Sequence, residues 1–183
     1  MHGIECALSP LKSMNHTKNR LPWRMILAIA ALSSLVGCAS THTSPRTASK
    51  GKHMTVRTTA YTHTEAGGSK NAIGSRLRYG SGDYSAASDW SWMPLGTRFR
   101  MPRTGRTYVI EDYGSALVGR QTIDLYMPSR STMRNWGVRT VDIEILEWGS
   151  KAMSLKMLQP RTRNHHVGVM VAQLRKQGVT PAG

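Results

Sequence analysis

The chain has 183 residues, with 25 Lys and Arg against 10 Asp and Glu, a formal charge of +15. Hydrophobic residues make up 39%, aromatics 7%, and there are 17 glycines and 8 prolines, a globular composition on the turn-rich side that suits an all-β domain better than a helical bundle. No nucleic-acid-binding motif accompanies the charge, which argues against nucleic acid as its partner.

The N-terminal part reads as a leader. Lys18 to Arg24 form a basic flank, and Met25 to Val36 an uncharged, mostly apolar run. Such a run is too short to span a bilayer as a helix but fits the core of a signal peptide. The order Leu35-Val36-Gly37-Cys38 resembles a lipobox, which implies acylation of Cys38 as the mature N-terminus. Ala39-Ser40 after it implies sorting to an outer membrane, and an uncleaved N-terminal anchor is the alternative. Met14 is a plausible start, which puts Cys6 outside the protein and leaves Cys38 lipidated and no disulfide expected. From Ala39 onward there are 21 basic and 9 acidic residues, so the charge stays near +12. The expected organisation is a leader over 1–38, a small polar tether over 39–53, a β domain over 54–148 and a helical extension over 149–183.

In chain order, Met54 to Thr62 is predicted to open the fold as a strand. His63 to Ser75, with three glycines, reads as loop, Leu77 to Tyr79 as a short strand, and Gly80 to Asp83 as a turn. Extended segments follow at Tyr84 to Ser88, Thr97 to Met101, Arg106 to Glu111 and Thr122 to Tyr126, the second and third separated by a turn at Pro102 to Gly105. Ser129 to Gly137 has a capping residue in front, a glycine behind, and Met133 and Trp136 spaced by three, which predicts one short helix. Val141, Ile143 and Ile145 alternate within Arg139 to Trp148, the clearest strand of the chain. Lys151 to Leu158 and Val167 to Gln177 read as helices packed outside the sheet. Six or so short strands with one inserted helix suggest a small closed barrel.

The centre of this pattern is the stretch from Glu111 to Tyr126. Asp112 and Asp124 stand near the two ends of its Gly-containing loop, and Asp89 precedes the Pro94-Leu95-Gly96-Thr97 turn. Three aspartates at strand margins are expected to converge on one face of the barrel. The plain alternative for each is a loop carboxylate that accepts backbone amides.

Thr59-Ala60-Tyr61-Thr62, Ala86-Ala87-Ser88-Asp89, Pro94-Leu95-Gly96-Thr97, Glu111-Asp112-Tyr113-Gly114-Ser115-Ala116 and Ile123-Asp124-Leu125-Tyr126, in that order, resemble the 3D (three-aspartate) domain. The resemblance runs from about Val56 to Leu146. It implies a double-psi β-barrel, mainly β and six-stranded, related to the catalytic domain of membrane-bound lytic transglycosylase A. The implied activity is non-hydrolytic cleavage of peptidoglycan glycan strands between N-acetylmuramic acid and N-acetylglucosamine, without a cofactor or metal. Asp89, Asp112 and Asp124 fall on the three family aspartates, with Asp124 at the position of the general acid/base. The loop is one residue longer than the usual pattern, and Tyr113-Gly114-Ser115 replaces the commoner Thr-Gly-Gly.

A lytic transglycosylase needs one carboxyl group, because the substrate's own C6 hydroxyl replaces the attacking water. That carboxyl must hold its proton near neutral pH, although free Asp titrates near ~3.9. Crowding carboxylates in a partly dry cleft raises one of them, so Asp89 and Asp112 are expected to tune Asp124. Tyr61, Glu65, Trp90, Trp92, Gly114 and Ser115 are expected to line the cleft and bind sugar, with core packing the alternative for the two tryptophans. His63, Glu65 and the pair His165-His166 lack a third partner at a metal-ligand spacing. Anionic wall polymer or lipid head groups suit the basic surface. Two other readings remain open from sequence: a peptidoglycan hydrolase on the same barrel, and an expansin-like module that binds wall without cutting it.

Overall fold

The computed structural model describes residues 51–65 and 68–183. The leader, the lipobox at Cys38 and nearly all of the tether lie outside the described residues. Six strands close into one barrel: β1 (Lys52–Tyr61), β2 (Tyr84–Ala87), β3 (Arg98–Met101), β4 (Arg106–Asp112), β5 (Thr122–Tyr126) and β6 (Arg139–Glu147). Around the barrel the order is β1, β5, β2, β4, β3, β6, returning to β1. β1 runs parallel to β5 and β2 parallel to β4, while the remaining neighbours are antiparallel. A mainly β, closed six-stranded barrel with two parallel pairs is the double-psi architecture that the sequence motifs imply.

Alternation explains what faces inward. Val56 and Thr58 of β1, Phe99 and Met101 of β3, Tyr108 and Ile110 of β4, Ile123 and Leu125 of β5, and Ile143 and Ile145 of β6 are all buried. Phe99 stacks on Tyr108 with ring centroids 5.4 Å apart and planes 11° from parallel. The first strand starts two residues earlier than predicted, at Lys52, because Lys52 and His53 already pair with Ile145 and Glu144.

One expected strand is absent. Leu77 to Tyr79 forms no strand. The Arg78 backbone bonds only Ser85 among the described residues, its N–H donating to the Ser85 Oγ at 2.8 Å and its carbonyl accepting the Ser85 N–H at 3.1 Å. One point of exchange makes no ladder. The two strands that flank the central loop are not neighbours, since β2 lies between β4 and β5. Residues 113–121 therefore cross over the end of β2, with a single 3-10 turn at Ser115–Leu117 on the way.

The inserted helix α1 (Arg130–Trp136) has the predicted cap: the Ser129 side chain accepts the Thr132 N–H while the Thr132 hydroxyl accepts the Ser129 N–H. After β6, α2 (Lys151–Leu158), a 3-10 turn (Gln159–Arg161) and α3 (His165–Lys176) pack on the outside of the barrel. Leu155, Leu158, Val167, Met170, Val171 and Leu174 join the same buried cluster as Trp90 and Met93. Six large apolar side chains removed from water contribute on the order of 10 kcal/mol before conformational entropy is subtracted. Among the described residues no helix is long and apolar enough to cross a membrane.

The joint between barrel and extension is Gly149. A Cβ there would lie 2.5 Å from the Thr97 nitrogen, 2.6 Å from the Pro94 oxygen and closer still to the Leu95 oxygen, all rigid backbone. The Gly149 N–H donates to the Thr97 hydroxyl at 3.0 Å, so this contact locks the 94–97 turn onto α2. Gly149→Ala is expected to destabilise the fold by about 3 kcal/mol, lowering the melting temperature by about 6–12 °C. Gly105→Ala, at a positive-φ turn with open space around it, is expected to cost only about 1 kcal/mol. Thermal denaturation of both variants checks the difference.

Candidate active site

Ala87, at the end of β2, is the ladder partner of two aspartates. Across β4 it pairs with Asp112, and across β5 it pairs with Asp124. The register with β4 shifts between Ala86 and Ala87, so that Glu111 becomes the extra residue of a bulge. Glu111 turns inward, where its carboxylate takes the Arg78 guanidinium at 2.6 Å and the Ser85 hydroxyl. The bulge thereby lets Asp112 flank Ala87 as Asp124 does. A cleft of about 640 Å³ opens over this line, with Ala87 at its floor. Its lining includes Tyr61, Glu65, Asp112, Gly114, Ser115 and Asp124.

The two aspartates are held differently. Asp112 accepts three hydrogen bonds: from the Tyr113 N–H at 2.9 Å, the Ala72 N–H at 3.1 Å and the Tyr61 hydroxyl at 3.3 Å. Burial pushes its carboxyl up, and these donors oppose the push. Among the described residues Asp124 accepts from one group, the Thr59 hydroxyl, at 2.6 Å on Oδ1. Burial pushes Asp124 up to about 6; Thr59 opposes the shift, Glu65 and Asp112 add to it, and Arg57 opposes it. Burial, with the fields of Asp112 and Asp124, also drives the Tyr61 phenol far above its usual range, so Tyr61 is a fixed donor. The cleft therefore holds one carboxyl clamped by donors and one able to keep a proton at mildly acidic pH.

Asp89 does not join them. It is 1% exposed, its Oδ1 accepts the Ser91 N–H at 2.8 Å and the Ser91 hydroxyl at 2.6 Å, and its Oδ2 accepts the Gly119 N–H at 2.7 Å. Every near donor is part of a turn or of the central loop, so Asp89 is the amide-binding carboxylate of the plain alternative. Three expected acids become two at the cleft. Trp90 is also withdrawn: it is wholly buried, its Nε1 donates to the Asp112 carbonyl at 2.9 Å, and it meets the Tyr113 ring edge-on at 5.0 Å. It supports the site from behind and has no face free for sugar. Trp92 lines a separate depression of about 330 Å³ with Asp89, Arg120 and Lys151, away from Asp124. Gly114 and Ser115 line the cleft from the crossing loop.

Other members carried weaker signals. Thr59 was visible in the first motif, and alternation puts it on the face of Tyr61. Lys70 and Ala72 come from the glycine-rich loop, and Asn164 and His166 come from the extension. No periodicity or motif marks those four. His63 engages the Tyr126 hydroxyl through Nδ1 at 3.1 Å.

Two stability measurements follow from this division. Asp89→Asn turns one acceptor oxygen into an NH2 that faces an N–H donor, and it is expected to cost about 2–3 kcal/mol in a denaturant titration. Asp124 behaves oppositely. Its folded pKa, about 6, lies above its ordinary 3.8, so the folded state binds the extra proton between those values. Stability from this group is present at low pH and is lost as pH rises from about 4 through about 6. Asp124→Asn is therefore expected to stabilise the protein at pH 7.5 by on the order of 2 kcal/mol, with the gain vanishing near pH 4. Melting curves across that range that show a destabilised variant at pH 7.5 would refute the buried-acid assignment.

Comparison with known proteins agrees with the barrel and its motifs. Residues 84–147 match the 3D domain family, spanning β2 through β6 and so including Asp89, Asp112 and Asp124. YabE of Bacillus subtilis (strain 168), named for cell wall shaping, is 36% identical over 114 residues, 62% of this chain and 28% of its own length. YocH of the same organism, a cell wall-binding protein, is 35% identical over 96 residues, 52% of this chain and 33% of its own length. The chain thus spans about a third or less of each of these relatives. With the ordered aspartate motifs, the family match and the closed six-stranded barrel in agreement, residues 84–147 are a 3D domain.

Proposed function

We propose that this protein is an exported cell-wall enzyme, a lytic transglycosylase that cleaves peptidoglycan glycan strands with Asp124 as its single general acid/base. The observation that carries the reading is the unequal treatment of the two cleft aspartates. Asp124, with one hydrogen-bond donor and a pKa raised to about 6, is the group able to donate a proton; Asp112, bound by three donors, is the better anion. The 3D domain and relatives named for cell wall shaping and binding support the wall as its target.

In this reading the sugar ring sits over Ala87 between the two carboxyl groups. Asp124 gives its proton to the glycosidic oxygen as the bond from that oxygen to the anomeric carbon breaks. The C6 hydroxyl of the same sugar then attacks the anomeric carbon, and its proton returns to Asp124. The product carries a 1,6-anhydro ring, and no water is consumed. Asp112 stabilises the positive charge that develops on the ring between these events. Lipid on Cys38 would hold the domain at a membrane facing the wall, with the outer membrane as the expected location.

Two other readings have an observation behind them. A hydrolase on the same barrel would use Asp112 or Glu65, both on the cleft, as base for a water. A wall-binding module without turnover is favoured by the name of the relative YocH and by the withdrawal of Asp89 from the cleft.

Mass spectrometry of soluble products separates them. Purified full-length protein incubated with peptidoglycan is expected to release anhydro-muropeptides, and Asp124→Asn none. Reducing ends instead would identify the hydrolase. Retention on sacculi with no released product from either protein would identify the binding module. For the transglycosylase, turnover should fall as pH rises above about 6, where Asp124 loses its proton.

A further inference from the structure

The helical extension is not only packed on the barrel; it builds part of the cleft. Asn164 and His166, both C-terminal to the family-matched residues 84–147, line the cleft with Lys70 and Ala72. Arg161 fixes this arrangement. Its Nη1 donates to the Ala72 carbonyl at 2.7 Å and to the Tyr113 hydroxyl at 3.4 Å, while the Ala72 N–H donates to Asp112. The His166 ring lies 6.0 Å from the Tyr113 ring. One bonded path therefore runs from the extension through the 70–72 segment and Tyr113 to Asp112.

The chemistry of this part of the lining differs from the rest. The barrel contributes the acids Asp112 and Asp124, and the residues just after β1 contribute Glu65. The 70–72 segment and the extension contribute the Lys70 ammonium, the Asn164 amide and the His166 ring, with no acid among them. Lys70 is exposed and makes no ion pair among the described residues. A neutral glycan gains little from a cation on one side of an otherwise acidic cleft. A glycan that carries a carboxylate gains an attractive partner at Lys70 and is repelled from the aspartates, which fixes its register.

We propose that Lys70, Asn164 and His166 form a specificity subsite for a carboxylate-bearing substituent of the glycan, completed by the C-terminal extension. The inference rests on reading the cleft as a glycan site, and it does not depend on turnover. In peptidoglycan such a carboxylate has two sources, the lactyl group on the sugar and the peptide attached to it.

The test is binding of the full-length Asp124→Asn protein to three soluble probes by calorimetry. Chitooligosaccharides carry no carboxylate, amidase-stripped glycan strands carry the lactyl carboxylate, and peptide-bearing strands of the same length carry peptide carboxylates. At least one carboxylate-bearing probe is expected to bind roughly 5–10-fold tighter than the chitooligosaccharide, and which one it is identifies the source. Adding Lys70→Ala or His166→Ala is expected to bring that ratio close to one. Equal affinity for all three probes, or a ratio that neither substitution changes, would overturn the subsite. If wild-type protein releases no product while the affinity ratio behaves as expected, the catalytic reading fails and the subsite stands. If products form but the ratio is flat, the reverse holds.

Discussion

The site depends on one residue having two ladder partners. Ala87 sits where β2 meets β4 on one side and β5 on the other, so backbone pairing alone sets Asp112 and Asp124 on either flank of a small side chain. A closed barrel makes that placement rigid, because no strand can slip without breaking pairs around the whole ring. The Glu111 bulge is part of the same constraint. Without the extra residue, the period of two would send Glu111 to the cleft face and turn Asp112 away.

Given that frame, electrostatics follows from how many donors each carboxyl meets. Among the described residues Asp112 has three, drawn from the crossing loop, the 70–72 segment and β1, and Asp124 has one, from the neighbouring strand. Desolvation raises both, but it is opposed strongly in one case and weakly in the other. A difference in proton affinity thus arises between two chemically identical side chains, which is the arrangement that acid catalysis requires.

Much of this was legible from residue order. The strands with clean alternation, the capped helix after Ser129 and the turns with glycine at positive φ are local features, and local chemistry dictates them. The motifs also picked out Asp112, Asp124 and Tyr61. Asp89 misled for a physical reason: a carboxylate that organises a turn and one that faces substrate have the same sequence signature, and only burial tells them apart. Trp90 was ambiguous in the same way, since a tryptophan beside a cleft can point into it or behind it. The non-adjacency of β4 and β5 could not be read, because pairing order in a barrel with parallel strands is set by long-range closure. Nor did any local pattern announce that Arg161, Asn164 and His166 reach the cleft.

The central loop is anchored at both ends to the same distant piece of chain. Near its start, Arg161 reaches the Tyr113 hydroxyl. At its far end, Gly119 is held by Asp89, whose turn partner Ser91 is gripped in turn by Gln173 and Gln177 of the last helix and the residue after it. The barrel is therefore cross-braced from outside, and the stiffness of the cleft is a property of the tail as much as of the strands. Any event that shifts α3, such as docking of another molecule on it, would slacken the roof over Asp112 and loosen the core cluster that the extension shares with Trp90 and Met93. The helices that close the chain in sequence thus act mechanically as a tensioner for the loop at its centre.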